Sequence, residues 1–163
     1  MNALQLPPLA LYTHFPWCVA KCPYCDFNSF ALQGSLPEAQ YIAALQCDLD
    51  AQIATLEAEQ AGGRPIVSIF LGGGTPSLFS PDALGGWLAS LRERLPLADD
   101  AEITLEANPG TIERGRFAGY RDAGITRVSL GAQSFGAAQL RALGRIHDAD
   151  DTRRAAEELH AAG

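Results

Sequence analysis

Long apolar runs and positive charge are both scarce in this chain of 163 residues. No apolar run approaches the roughly 20 residues that a membrane-spanning helix needs. A composition with 47% hydrophobic and 19% charged residues predicts a globular protein that can bury one sizeable core. The 12 lysines and arginines are outnumbered by 19 aspartates and glutamates, and the net charge of -7 opposes binding to nucleic acid or anionic lipid. We therefore expect no nucleic-acid partner, and contact with membranes only through partner proteins.

Cysteine is also scarce, which bears on the compartment in which the protein works. Only four cysteines occur, and three of them fall within eight residues, so they do not make a disulfide scaffold. The start of the chain lacks the basic and apolar regions of a targeting peptide. The sequence therefore predicts a cytoplasmic location.

One arrangement occurs four times along the chain: a short β-branched or aromatic run, a turn, and a segment with helical periodicity. The predicted strands cover Leu9–His14, Pro65–Leu71, Glu102–Ala107 and Arg127–Ala132. The predicted helices cover Pro37–Gln60, Pro81–Arg94, Ile112–Asp122, Ala137–Leu143 and Ala149–His160. Because parallel strands need crossover connections, this alternation predicts an α/β fold with a parallel sheet covered by helices.

Residues at the predicted helix ends support these boundaries. Ser35 and Glu38 have the spacing of a capping box at the start of the first helix. Ser80 fits the N-cap of the second helix, and Asp148 fits the N-cap of the last. The pair of glycines at 62 and 63 is expected to end the first helix.

The number of strands bears on the domain organisation. Four strands are too few to close a barrel of six or eight, and the predicted fourth strand would be an edge with unpaired backbone groups. The chain also stops at Gly163, where a fifth strand is expected to begin. We therefore expect residues 1–163 to be the N-terminal part of a longer protein.

Unusual residues follow each predicted strand. Active sites of parallel α/β folds lie at the carboxyl ends of the strands, so these loops are expected to share one cleft. In chain order they carry Cys18, Cys22 and Cys25; the segment 72–77 (GGGTPS); Glu106 with the segment 108–110 (NPG); and Gln133 with Ser134, followed by Arg145 and His147.

The C-x-x-x-C-x-x-C run of Cys18, Cys22 and Cys25 leaves several chemistries open. Cys22 and Cys25 alone have the spacing of a dithiol redox pair, but that function has no use for Cys18. A zinc site would need a fourth ligand, for which the candidates are His14, His147 and His160. An iron-sulfur cluster held by three thiolates uses all three cysteines and leaves one iron free to bind a small molecule. The spacing favours the cluster over the other two readings and over inert thiols.

The segment 72–77 is not a phosphate-binding loop. No lysine follows the glycines at the position that a P-loop requires, and the glycine spacing of dinucleotide-binding folds is missing. Glycines let a ligand approach the backbone, and the exposed carbonyl groups suit an ammonium donor. Glu106 then becomes a candidate for binding an ammonium group or ribose hydroxyls, and Arg145 for pairing with a carboxylate or forming a surface salt bridge.

Five motifs in this order make the chain similar to the radical S-adenosylmethionine superfamily, and within it to the family of oxygen-independent coproporphyrinogen III oxidase and its haem-chaperone relatives. They are residues 12–18 (YTHFPWC), 22–28 (CPYCDFN), 72–77 (GGGTPS), 105–109 (LEANP) and 129–135 (SLGAQSF). The resemblance implies a partial (β/α)6 barrel in which four parallel βα units are present and the remaining strands are missing. Residues 1–163 would then be the N-terminal part of a radical SAM core domain.

The resemblance also implies the cofactors and the residues that hold them. Cys18, Cys22 and Cys25 would hold a [4Fe-4S] cluster whose fourth iron is chelated by S-adenosylmethionine. The remaining cofactor-binding positions would be Tyr12 beside the cluster, Tyr24 near the adenine, the backbone of Gly73, Gly74 and Thr75 at the methionine amino end, and Glu106, Gln133 and Arg145 around the pocket. An electron delivered through the cluster would generate a 5′-deoxyadenosyl radical.

Two sequence features favour the haem-chaperone branch over the oxidase branch. The oxidase branch resembles C-x-x-x-C-x-x-C-x-C, whereas Phe27 stands at the last of those positions here. The oxidase branch also has a longer N-terminal arm, whereas only eleven residues precede Tyr12 in this chain. The chaperone branch implies haem as a further ligand and a haemoprotein acceptor as partner, whereas the oxidase alternative implies a porphyrinogen substrate and activity as an enzyme. Either branch implies an electron donor of the flavodoxin or ferredoxin type.

Overall fold

Four parallel strands form the main sheet of this computed structural model, which describes residues 6–58, 63–110 and 113–163. In chain order these strands are β1 (Leu9–Phe15), β4 (Ile66–Gly73), β5 (Leu97–Ala107) and β6 (Arg127–Leu130), and they lie in the order β1-β4-β5-β6. Two short strands, β2 (Trp17–Cys18) and β3 (Phe30–Ala31), form a separate parallel pair. The predicted α/β fold with four parallel strands is confirmed.

In the described ranges, five α-helices connect or follow the strands of the main sheet. They are α1 (Glu38–Ala58), α2 (Pro81–Arg94), α3 (Phe117–Ala123), α4 (Ala137–Ala142) and α5 (Ala149–Ala162), with a 3₁₀ turn at Pro76–Leu78. In the described part of the chain, no helix is both long enough and apolar enough to cross a membrane.

The buried core lies between the sheet and the helices that cover it. Strands β1, β4 and β5 contribute fully buried side chains such as Phe15, Leu71 and Leu105. Helix α2 packs Leu84, Leu88 and Leu91 against them, on the one apolar face that its 3.6-residue period creates. From α1, Leu49 is buried in the same core, while Ile42, Leu45 and Ile53 are partly buried against it. This packing holds the carboxyl ends of the strands, and the loops that follow them, at one edge of the molecule.

Some element boundaries differ from the predicted ones, each for a local reason. β5 begins at Leu97 rather than Glu102, because Leu97 pairs with Ile66 of β4 before a register irregularity that lies between Ile66 and Ser68. β6 ends at Leu130 rather than Ala132. α3 begins at Phe117 because Gly115 has a left-handed backbone (φ 72°) that a helix cannot include. The predicted starts and ends at Ile112, Gln60 and Gly62 lie outside the described residues.

The capping predictions hold for two helices and fail for one. Ser80 caps α2 by accepting a hydrogen bond from the Ala83 N–H, and Asp148 caps α5 in a reciprocal box with Asp151. The predicted box of Ser35 and Glu38 is wrong, because the Glu38 carboxylate is engaged by another helix. Its oxygens accept from the Ser80 N–H at 2.6 Å and the Ser80 hydroxyl at 2.9 Å.

Candidate functional site

The loops that follow all four strands of the main sheet line one cavity of about 460 Å³. Ten of the eleven residues expected to form the site line it: Cys18, Cys22, Tyr24, Cys25, Gly73, Gly74, Thr75, Glu106, Gln133 and Arg145. The shared cleft expected from the strand-to-helix loops is therefore present in the fold.

Tyr12 is the expected site residue that does not line the cavity. Its side chain is 56% exposed, and its hydroxyl lies 3.0 Å from His14 Nδ1. His14 Nε2 lies 2.7 Å from the Asn28 carbonyl oxygen, which only accepts hydrogen bonds, so Nε2 carries the proton and Tyr12 donates to Nδ1. Tyr12 therefore supports a histidine that contacts the end of the cysteine loop.

The cysteine loop, residues 18–29, curls so that its three cysteines face the same cavity. Cys18 lies on β2. A turn closed by a 3.1 Å hydrogen bond from the Cys25 N–H to the Cys22 carbonyl places Cys22 and Cys25 at the same cavity. The pairing of β2 with β3 closes the base of the loop, with the Phe30 N–H bonded to the Pro16 carbonyl at 2.7 Å. All three cysteines are partly buried free thiols.

Two of the three histidines considered as zinc ligands, His14 and His147, already have hydrogen-bond partners within the protein. Both ring nitrogens of His14 are engaged, as described above, and His147 Nε2 lies 3.0 Å from the Ala132 carbonyl. Within the described ranges, no group of three or more His, Cys, Asp and Glu side chains lies close enough to hold one metal ion. A single zinc ion needs all its ligands within about 2.3 Å of one point, whereas in an iron-sulfur cluster each thiolate binds its own iron.

The glycine segment packs so tightly that side chains are excluded from two of its positions. Gly73 has a φ of 113°, and a Cβ there would come within 2.6 Å of the His14 ring. A Cβ on Gly74 would come within 2.6 Å of the Trp17 carbonyl oxygen. The Gly74 and Thr75 N–H groups donate to the carbonyls of Phe15 and Trp17, each at 2.7 Å. Since these donors are used inside the protein, contact with a ligand falls to carbonyl oxygens, which suit an ammonium group.

Glu106 stands at the end of β5 with its carboxylate held against the glycine segment. Its Oε2 accepts a 3.0 Å hydrogen bond from the Gly73 N–H. Burial raises the pKa of Glu106 above its ordinary value, while the hydrogen bond from Gly73 opposes that shift. The second carboxylate oxygen remains available to accept a hydrogen bond from a ligand in the cavity.

Arg145 crosses the floor of the cavity and joins three of its loops. One terminal nitrogen lies 3.4 Å from Cys22 Sγ, and the other donates to the Asn108 side chain and, at 3.0 Å, to the Gly131 carbonyl. None of these partners is a carboxylate, so the surface salt bridge considered for Arg145 is not what the fold forms. Its Nε is buried and is the one side-chain nitrogen or oxygen in the described residues that is buried without a hydrogen-bond partner. A buried, unpaired donor of a cationic group suits an anionic ligand.

Glu113 lines the cavity although nothing in the sequence predicted it there, and Asn108 lies in a loop that was expected there but had no predicted role in the site. Glu113 is only 3% exposed and its carboxylate accepts a 2.9 Å hydrogen bond from the Ser77 hydroxyl. Burial is the main cause that raises the pKa of Glu113. Asn108, beside Glu106, donates to the Thr75 hydroxyl at 2.9 Å. Glu113 lay inside a predicted helix, where a glutamate is typical of a solvated face, so the sequence carried no signal for its burial.

Comparison with known proteins identifies the family. Residues 12–163 match the family model described as the radical SAM superfamily. The chain belongs to the radical SAM superfamily. The matched residues include those that line the cavity at the carboxyl ends of the four strands.

Several curated relatives in this superfamily are haem chaperones. The chain is 54% identical over 154 residues to the heme chaperone HemW of Escherichia coli (strain K12), covering 94% of this chain and 39% of the relative. It is 38% identical over 158 residues to HemW of Mycobacterium tuberculosis (strain H37Rv), covering 96% and 39%. A mitochondrial radical S-adenosyl methionine domain-containing protein 1 of Bos taurus is 40% identical, covering 87% and 31%. The chain therefore spans about two fifths or less of the length of these relatives.

A solved structure supports the same fold. The coproporphyrinogen III oxidase HemN from Escherichia coli, described as a radical SAM enzyme, superposes with a TM-score of 0.80 at 29% identity. The match covers 96% of this chain and 35% of the oxidase chain. The fold found here is therefore that of the corresponding part of a radical SAM protein.

Proposed function

We propose that this chain is the cofactor-binding part of a haem chaperone, which holds a [4Fe-4S] cluster and S-adenosylmethionine and acts in the cytoplasm. The observation that carries the proposal is that Cys18, Cys22 and Cys25 line one cavity together with a buried, unpaired arginine nitrogen. Three thiolates are one ligand short of a complete four-iron site, so one iron is left for a small molecule with its own donors.

The donor set around the cysteines fits S-adenosylmethionine. The carbonyl side of Gly73, Gly74 and Thr75 receives the methionine ammonium, while the Arg145 guanidinium, which has no carboxylate partner among the described residues, pairs with the methionine carboxylate. Glu106, fixed by the Gly73 N–H, accepts from hydroxyl or ammonium donors, and Gln133 and Tyr24 line the wall on the adenosine side. When bound and reduced, the cluster supplies the electron that cleaves the sulfonium; the protein orients the ligands and excludes water.

The high identity to haem chaperones favours that role over coproporphyrinogen oxidation. The relatives at 54% and 50% identity are named heme chaperones, whereas the oxidase structure is 29% identical. Phe27, where the oxidase branch has a further cysteine, is 64% exposed at the rim of the cavity. On this proposal the partners are haem, a haemoprotein acceptor and an electron donor of the flavodoxin or ferredoxin type.

Anaerobic reconstitution with iron and sulfide tests the cofactor part of the proposal. The protein is expected to bind four irons per chain with broad visible absorption, and Cys22→Ala is expected to lose it. Cys47→Ala is the matched control, because Cys47 is exposed on α1 and far from the loop in sequence, and it should reconstitute as the unaltered protein does. A single colourless metal ion per chain would contradict the proposal.

The choice between chaperone and oxidase is tested on the full-length protein. It is incubated with S-adenosylmethionine, a reductant and coproporphyrinogen III, and separately with haem and an apo-haemoprotein. Haem binding and transfer without porphyrinogen turnover is the expected result. Formation of protoporphyrinogen would reverse the assignment.

A further inference from the structure

Lys21 makes a hydrogen-bond cluster inside the cysteine loop. It is the single lysine in the sequence, and it directly precedes Cys22. Its Nζ donates to the Phe27 carbonyl at 2.6 Å, to the Ser29 carbonyl at 3.0 Å and to the Ser29 hydroxyl at 2.9 Å. An ammonium group has three N–H donors, so these three bonds use all of them. Lys21 thus ties the segment before Cys22 to the segment after Cys25.

This cluster decides where the Ser29 hydroxyl proton goes. The Phe27 carbonyl oxygen already accepts from Lys21 Nζ at 2.6 Å and from the Ser29 N–H at 2.7 Å, which fills its two lone pairs. The Ser29 hydroxyl also reaches that carbonyl, but only at a long 3.4 Å and in competition with the two shorter bonds. Because Lys21 donates to the same hydroxyl oxygen, the hydroxyl proton needs another acceptor. Cys25 Sγ, 4.0 Å from Ser29 Oγ, is the other atom within hydrogen-bonding range of that hydroxyl.

The surroundings of Ser29 favour such a bond. Ser29 is only 5% exposed, so little water surrounds its hydroxyl. A metal-bound cysteine is a thiolate, which accepts hydrogen bonds more strongly than a thiol does. Hydrogen bonds to cluster sulfurs are among the features that set the reduction potential of iron-sulfur proteins, because a donor stabilises the extra negative charge of the reduced form.

We propose that Ser29 is a positioning residue that donates a hydrogen bond to the Cys25 sulfur, that Lys21 aims this bond, and that the bond raises the reduction potential of the bound cluster. The inference rests on the proposed function, since it needs the cluster to be present. It assigns roles to two residues that hold no cofactor atom themselves. Their effect is exerted through Cys25.

The first test compares Ser29→Ala with Ser29→Thr in the full-length protein reconstituted with iron and sulfide. The readout is the midpoint potential of the cluster in a redox titration followed by electron paramagnetic resonance, at equal iron content per chain. At a fixed potential, Ser29→Ala is expected to shift the ratio of oxidised to reduced cluster about threefold to tenfold toward the oxidised form, the size expected for one hydrogen bond. Ser29→Thr keeps the hydroxyl and is expected to restore most of the original potential. Equal potentials in Ser29→Ala and the unaltered protein would overturn the inference.

The second test separates the geometry of Lys21 from its charge. Lys21→Arg keeps the positive charge, but a planar guanidinium cannot direct three donors from one nitrogen to three converging acceptors. The Phe27 carbonyl then has a free lone pair for the Ser29 hydroxyl, so Lys21→Arg is expected to lower the potential in the same direction as Ser29→Ala. In a Ser29→Ala background, Lys21→Arg should add little further change. An unchanged potential in Lys21→Arg, or an equal shift in both backgrounds, would overturn the role of Lys21.

These outcomes distinguish the inference from the function on which it rests. If the unaltered protein takes up no iron and sulfide, the proposed function fails and the inference fails with it. If it loads normally and the Ser29 variants share its potential, only the inference fails. If Ser29→Ala does not take up iron and sulfide, the midpoint potential of Lys21→Arg is compared with that of the unaltered protein. An unchanged potential then overturns the inference.

Discussion

At the scale of single residues, burial is the main influence on the pKa of the two carboxylates in the cavity wall. Glu113 and Glu106 both have a raised pKa, and in both cases desolvation is the largest cause. Glu113 is the more deeply placed of the two, and the Ser77 hydroxyl supplies a hydrogen bond that favours its charged form. Keeping a charged carboxylate in this position costs folding free energy at neutral pH.

The pKa of Glu113 predicts how stability depends on pH. Because the folded-state pKa is raised above its ordinary value of 4.5, the protonated form contributes stability that is fully present below that value and is lost as the pH rises through the folded pKa. Glu113→Gln has no proton to lose, so its free energy of unfolding should fall less than that of the unaltered protein as the pH rises above 4.5. Urea unfolding at several pH values measures this.

Ser77→Ala keeps the Glu113 carboxylate but removes a hydrogen bond to it, so its effect on the pH dependence of stability is opposite to that of Glu113→Gln. Without the Ser77 hydroxyl, which lowers the pKa of Glu113, the loss of stability with rising pH should extend to higher pH. Identical pH profiles for the unaltered protein, Glu113→Gln and Ser77→Ala would contradict the assignment of this pH dependence to Glu113.

At the scale of elements, helix starts are coupled across the fold. The Glu38 carboxylate at the start of α1 binds both the N–H and the hydroxyl of Ser80, the N-cap of α2. The Ser80 hydroxyl in turn accepts from the Ala83 N–H at 3.2 Å. A side chain that local spacing assigned to its own helix therefore stabilises the next one.

Mutation of Glu38 tests this coupling. Glu38→Ala is expected to lower the free energy of unfolding by about 1 to 2 kcal/mol, because it removes two hydrogen bonds to a charged group at a helix start. Ser35→Ala, at the exposed partner of the rejected capping box, should change it by less than about 0.5 kcal/mol. Chemical denaturation of both variants is the measurement, and comparable losses of stability in Ser35→Ala and Glu38→Ala would restore the local capping box.

At the scale of the whole molecule, one cavity gathers the loops that follow all four strands of the main sheet. The single side chain of Arg145 contacts the cysteine loop, the loop after β5 and the loop after β6. A ligand that binds there bridges distant parts of the chain. Its binding free energy should therefore appear as stability of the entire fold.

Thermal unfolding tests this coupling between ligand and fold. On the cluster-loaded protein, S-adenosylmethionine at one hundred times its dissociation constant should add about 2.7 kcal/mol of stability and raise Tm. Arg145→Met should lose most of that rise, whereas Arg141→Met, an exposed arginine on α4, should keep it. An equal rise in both variants would remove Arg145 from the ligand contacts.

Local patterns along the chain predicted the fold class and most of the residues that line the cavity. The alternation of β-branched runs with helical periods predicted four parallel strands, because side-chain periodicity depends only on backbone geometry. The cysteine spacing and the glycine segment predicted which loops carry the chemistry, because strand-to-helix loops of a parallel sheet share one edge. Tyr12 shows the limit of this reasoning, since its place in a motif did not bring it to the cavity.

Only the tertiary structure decided which side chains meet across long separations in the chain. Glu38 binds Ser80, Ser77 binds Glu113, and Arg145 lies against Cys22. These partners are set by how helices and loops pack on the sheet, and a local sequence pattern carries no information about those packing angles. Lys21 is the same case on a smaller scale, because it folds back across the cysteine loop to bond the Phe27 carbonyl and the Ser29 hydroxyl.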